Sequence, residues 1–153
     1  MTSTISKRAR LWGSLLVAGT LVLSGCGDNG QTAIGRGQYT IFVHGDSILP
    51  QGGDDALVGG TVVARDGCVL LSFGDGSTYP VIWPSGTVIT DDDPLALTLR
   101  SGDQVVVGST VRGGGGSHNV DSPMVTVDIT NECRSATGEV LIFNPDGDID
   151  VDA

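Results

Sequence analysis

Leu57-Val58-Gly59-Gly60-Thr61-Val62-Val63-Ala64-Arg65-Asp66-Gly67-Cys68-Val69-Leu70-Leu71-Ser72-Phe73 decides the fold class. Two β-branched, apolar runs flank the dipeptide Asp66-Gly67, a strong short-range signal for a two-residue hairpin turn, because both central residues of that turn need φ > 0. Leu57–Arg65 and Cys68–Phe73 are therefore read as paired strands. The same grammar extends outward. Gln38–His44 alternates, with Tyr39, Ile41 and Val43 on one side, and reads as a first strand. Tyr79–Trp83 is stopped by Pro84, and Val88-Ile89 adds a short strand. Leu95, Leu97 and Leu99 alternate with Ala96 and Thr98, and Val105–Val111, Met124–Ile129 and Glu139–Phe143 supply the rest. No window carries helical periodicity, including residues 121–134. The expectation is an all-β domain: a small closed β-barrel, OB-like, or a compact sandwich, of five to seven strands.

Composition agrees. Glycine is abundant at 24 residues and aromatics are only 5%, as in short strands joined by tight turns. Three of the eight cations, Lys7, Arg8 and Arg10, lie near the N-terminus, and every acidic residue lies beyond residue 25. From residue 26 onward five arginines face 18 carboxylates, a net charge of −13 with no lysine. Phosphate recognition depends on clustered Lys and Arg, so nucleic-acid binding is excluded as a function class. The acidic excess favours solubility and contact with cations or basic partners.

After Lys7, Arg8 and Arg10, an apolar stretch from Leu11 to Ser24 leads into Leu23-Ser24-Gly25-Cys26. That stretch is shorter than the roughly 20 apolar residues of a spanning helix. It has the size of the apolar core of an export signal. The four residues match the lipobox of bacterial lipoproteins at every position, and the segment resembles their signal peptides. The resemblance implies cleavage before Cys26, lipidation of Cys26, and anchoring in the cell membrane with the domain exposed on the extracytoplasmic face. Residues 1–25 are then a signal peptide, 26–38 a flexible glycine-rich tether, 39–145 the β-barrel domain and 146–153 an acidic tail.

With Cys26 assigned to lipid, Cys68 and Cys133 remain as an even pair. In an oxidising compartment the expectation is one disulfide, closing a loop of about 65 residues and contributing about 3–4 kcal/mol on the chain-entropy model. Two thiols so far apart, with His44 and His118 the only histidines, lack the paired spacing of a zinc site. The segment from Ala56 to about Phe143 also resembles a family of small exported bacterial β domains without assigned activity. Gly67-Cys68, Trp83-Pro84-Ser85-Gly86, Val107-Gly108 leading to Gly113–Gly116, and the late Cys133 carry that resemblance. After Cys133 the chain departs from the pattern, with Arg134-Ser135-Ala136-Thr137 in place of an aromatic cluster. The family implies a disulfide-stapled barrel and no catalysis.

The remaining constellations are weaker. Gly45-Asp46-Ser47-Ile48 follows an apolar strand and resembles the nucleophile block of GDSL-type esterases, with Ser47 as nucleophile. The general base expected of that family, a late Asp-x-x-His, is absent: residues 115–118 read Gly-Gly-Ser-His. The run Gly113–Gly116 before His118 reads as a mobile surface loop, because a phosphate-cradling loop needs a lysine and a following helix. Asp146, Asp148, Asp150 and Asp152 alternate, so their carboxylates share one side of an extended chain; they read first as a solvated, disordered acidic terminus with no metal site, and weak cation binding by Asp146, Asp148 and Asp150 is the second reading. Asp91-Asp92-Asp93 reads as a turn, and Trp83 beside Pro84 as core or rim packing. No cofactor is implied. The resulting expectation is a membrane-tethered, non-enzymatic domain that binds a ligand or an envelope protein; a calcium-assisted association module and a GDSL-like esterase are the alternatives.

Overall fold

The computed structural model describes residues 30–46 and 53–152. Its strands are β1 (Gln31–Arg36), β2 (Tyr39–His44), β3 (Ala56–Arg65), β4 (Cys68–Ser72), β5 (Thr78–Trp83), β6 (Val88–Asp92), β7 (Leu95–Thr98), β8 (Gln104–Val106), β9 (Thr110–Asn119), β10 (Glu139–Phe143) and β11 (Ile149–Asp152). The hairpin read from residues 57–73 is present, with Arg65 opposite Cys68 and Thr61 opposite Ser72. Both turn residues have positive φ, 52° at Asp66 and 79° at Gly67, as that turn requires.

The all-β expectation holds, but the closed OB-like barrel and the compact sandwich of five to seven strands do not. Among the described residues eleven strands form two sheets. An eight-stranded sheet follows the path β1-β2-β4-β3-β9-β10-β5, with β11 attached to β9, and β5 makes further pairings with β2 and β4. The second sheet has three strands, β6-β7-β8. The large sheet is not a simple closed ring: β1 hangs on β2 alone among the described residues, β11 is attached to β9, and β5 pairs β10, β2 and β4 together.

Two of the extra strands come from segments given other roles. β1 lies inside the stretch read as a flexible tether, and β11 inside the acidic tail. Neither has a run of apolar residues. Each is held by backbone pairing to a stronger neighbour, β1 to β2 from Gln31↔His44 to Arg36↔Tyr39, and β11 to β9 from Ile149↔Gly113 to Asp152↔Thr110.

The third correction concerns Gly113–Gly116, which form the middle of a ten-residue strand and not a loop. β9 pairs β3 along one edge and β10 and β11 along the other. The backbones come so close that side chains do not fit. A Cβ on Gly115 would collide with the Ile142 carbonyl oxygen, and one on Gly113 would sit 2.9 Å from the Asp148 carbonyl oxygen. The expected single strand Val105–Val111 is likewise two strands. Gly108, at φ 96°, hands the chain from the small sheet to the large one.

Central strands of the large sheet are apolar on both faces, which explains why they read as continuous runs. Ile41, Val43, Leu71, Val81, Trp83 and Phe143 face one core, where Ile89, Leu95, Leu97 and Val105 of the small sheet pack against them. The alternate residues Phe42, Leu70, Ile82, Val140 and Ile142 face a second core. That second face is covered by the segment 120–133, which contributes Val120, Val125, Val127 and Ile129. Met124–Ile129 is not a strand, contrary to expectation, and its alternation is used to turn Val125, Val127 and Ile129 inward without a hydrogen-bonded ladder. A disulfide between Cys68 and Cys133 staples the segment to β4.

Candidate binding cleft

Several strand ends meet at one place. β1 begins at Gln31 directly opposite His44, the last residue of β2. β9 carries His118 to the same end, β10 ends in Phe143 followed by Asn144, and Asp54 lies just before β3. Together they line a cleft of about 250 Å³ that contains both histidines of the chain. Pro123, Met124 and Thr126 of the covering segment form another wall.

The polar groups are tied to one another. His118 Nε2 lies 2.6 Å from Asp54 Oδ2. Asp54 is in turn gripped by Asn144: its backbone N–H donates to Asn144 Oδ1 at 2.9 Å, and Asn144 Nδ2 donates to the Asp54 carbonyl at 3.1 Å. The clamp lies over β9, where Gly114 and Gly116 leave the space it occupies. A Cβ at Gly114 would stand 2.9 Å from Asn144 Nδ2, and one at Gly116 would run into the Asp54 carboxylate. The glycine run thus does two jobs by alternation, with Gly113 and Gly115 admitting neighbouring backbone and Gly114 and Gly116 admitting the clamp.

On the opposite wall, Gln31 binds the covering segment through three hydrogen bonds. Its N–H donates to Thr126 Oγ1 at 2.9 Å, its Nε2 to the Met124 carbonyl at 2.8 Å, and its Oε1 accepts from the Thr126 N–H at 2.8 Å. His44 is buried, and its Nε2 lies 2.9 Å from the Phe143 carbonyl. A carbonyl only accepts, so Nε2 carries the hydrogen and, in the neutral ring, Nδ1 carries the lone pair. Burial holds the His44 pKa below its ordinary 6.5, against the opposing pull of the Phe143 carbonyl and the Asp146 charge.

That depression has a measurable sign. The unfolded chain binds a proton at His44 more readily than the folded one, so the stability gained is present above pH 6.5 and is lost as pH falls through it. Urea denaturation at pH 7.5 and pH 5.5 should show a lower midpoint at the acid end. His44→Gln should reduce that difference; an unchanged difference would assign it to other groups.

The sequence-derived candidates distribute as follows. Cys68 and Cys133 are bonded to each other. Asp146 lies 3.6 Å from Arg100, Asp150 is in β11 at the position opposite Arg112, and Asp148 lines a separate depression of about 390 Å³. Among the described residues no group of three or more His, Cys, Asp or Glu is placed to hold a metal ion, so Asp146, Asp148 and Asp150 are not assembled into a site. Trp83 is fully buried and packs on Phe143, with ring centroids 5.6 Å apart. Cys26 and Ser47 lie outside the described residues. Asp54, Asn144 and Gln31 were not singled out from sequence. The only local signal was the glycine run, whose length invited a loop reading. No protein-family model, no curated protein and no solved structure matches this chain.

Proposed function

We propose that this chain is a lipid-anchored envelope protein whose β domain acts by binding, without catalysis, on the extracytoplasmic side of the cell membrane. The observation that carries the reading is Leu23-Ser24-Gly25-Cys26 after a basic and then an apolar segment. The Cys68–Cys133 disulfide supports it, because such bonds persist in oxidising compartments. The cleft supports the binding half of the proposal: it is concave, mixes apolar walls with a few fixed polar groups, and holds those groups by mutual hydrogen bonds. His118 is engaged by Asp54 next to the glycine strand.

The test is to express the full chain with a labelled fatty acid. Wild type should carry the label and sediment with membranes. Cys26→Ser should lose the label and keep residues 1–25. Label retained in Cys26→Ser, or wild type recovered unlabelled in the soluble fraction, would defeat the proposal.

A further inference from the structure

We infer that the cleft between Gln31, His44, Asp54 and His118 takes the primary ammonium end of an ethanolamine phospholipid headgroup, from the bilayer in which the chain is anchored. The inference rests on the anchor proposed above for its position and on the cleft itself for its chemistry.

Position follows from covalent reach. Gln31 lines the cleft, and five residue steps separate it from Cys26. A fully extended chain covers at most about 3.6 Å per residue, so Gln31 lies within about 18 Å of a lipidated Cys26. The tether expected to run to residue 38 is in fact cut short by β1 at Gln31. The lipid on Cys26 places that residue at the headgroup layer, itself about 5–8 Å deep on each side of the hydrocarbon core. The strand end that bears the cleft is therefore kept within about 18 Å of the headgroup layer, while the residue after β1, Gly37, is six residues, or about 20 Å, farther along the strand. Met124, which forms part of the cleft wall, is 55% exposed and gives an apolar rim toward that layer.

Chemistry selects the headgroup. Among the described residues no lysine or arginine lines the cleft, and the chain carries a net charge of −13 from residue 26 onward, which disfavours an anionic headgroup. Asp54 supplies a carboxylate at the cleft, and the charge of Asp146 reaches His44. With Nε2–H given to the Phe143 carbonyl, neutral His44 offers Nδ1 as an acceptor. A primary ammonium has three hydrogens to give to such acceptors, whereas a quaternary ammonium has none. The volume, about 250 Å³, equals about eight waters at 30 Å³ each, room for the end of a headgroup.

The full chain, purified in neutral detergent micelles, tests this directly, because its two histidines give two imidazole signals by NMR. Micelles are doped with phosphatidylethanolamine, phosphatidylcholine or phosphatidylglycerol. Phosphatidylethanolamine should shift both signals saturably, with a midpoint at least about tenfold below the other two lipids, and Asp54→Asn should raise that midpoint by about tenfold, the worth of one charge-assisted hydrogen bond. Asp54→Glu, which keeps the charge, should retain the selectivity. Free ethanolamine phosphate should bind at least about tenfold more weakly than the lipid, since it lacks the apolar part. Equal midpoints for the three lipids overturn the assignment without reference to any variant. Equal binding of the free headgroup overturns the lipid as its source. Because micelles supply headgroups whether or not Cys26 is lipidated, absent binding by a lipidated chain refutes the cleft assignment alone, and intact binding by an unlipidated chain refutes the anchor alone.

Discussion

Trp83→Ala should lower the unfolding free energy by about 3–5 kcal/mol, the range for removing a large aromatic side chain from a packed core. Domains of this size are stable by about 5–15 kcal/mol in total, so the substitution removes a large part of what holds the fold. Trp83 is fully buried at the end of β5, stacked at a 30° tilt on Phe143 of β10, and belongs to the core that joins the two sheets. Its loss therefore loosens the pairing of β5 with β10 and the seat of Leu97 and Val105 together. A contrast makes the test specific. Trp83 Nε1 is buried without a hydrogen-bond partner among the described residues, which costs about 1–3 kcal/mol. Trp83→Phe deletes that N–H along with some volume, so its cost should be under about 1 kcal/mol, the two effects offsetting. Urea denaturation followed by far-ultraviolet circular dichroism measures both. Equal losses for the two variants would mean that Nε1 is satisfied in solution.

Replacing both Cys68 and Cys133 with Ala should cost about 4 kcal/mol through the freed loop, the two cysteines being 65 residues apart. The damage should also be uneven. The disulfide holds the segment 120–133 over Phe42, Leu70, Ile82 and Ile142, and that segment has turns but no strand pairing of its own. Below the global transition, amide exchange should accelerate first at Val125 and at position 133, whose N–H groups bond only within local turns, and at Gln31, whose N–H bonds to Thr126 Oγ1. Leu71 and Val81, in the interior of the large sheet, should stay protected. Uniform acceleration would show that the segment and the sheet unfold as one unit. Because Gln31 joins β1 to that segment across the cleft, the same variant should also disturb the His44 signal.

These two expectations also mark what the sequence could and could not reveal. Hairpin β3–β4 was legible because Asp66-Gly67 fixes a turn whose backbone angles few other residue pairs accept. The disulfide was legible from the parity of the remaining cysteines. β1 and β11 were not, since Gln-Thr-Ala-Ile-Gly-Arg and Ile-Asp-Val-Asp become strands only by borrowing the edges of β2 and β9. The barrel expectation failed in the same places: β1 and β11 extend the large sheet beyond a small ring, and Gly113–Gly116, taken as a loop, are the middle of the strand that joins β3 to β10 and β11. Glycine reports a lack of side chain, and in this chain the lack serves close approach within a sheet. The cleft was illegible for a different reason. Gln31, His44, Asp54, His118 and Asn144 are spread over more than a hundred residues and meet only because strand ends converge, with no spacing rule connecting them.

On the function proposed above, the mature chain starts at a lipidated Cys26. Intact mass and N-terminal fragmentation of the protein extracted from its own membranes read both the first residue and its modification. Expected is a chain whose first residue is Cys26, bearing at least a diacylglyceryl mass, with Cys68 and Cys133 joined. A chain that keeps residues 1–25, begins at another residue, or presents Cys26 as a thiol open to alkylation would contradict it.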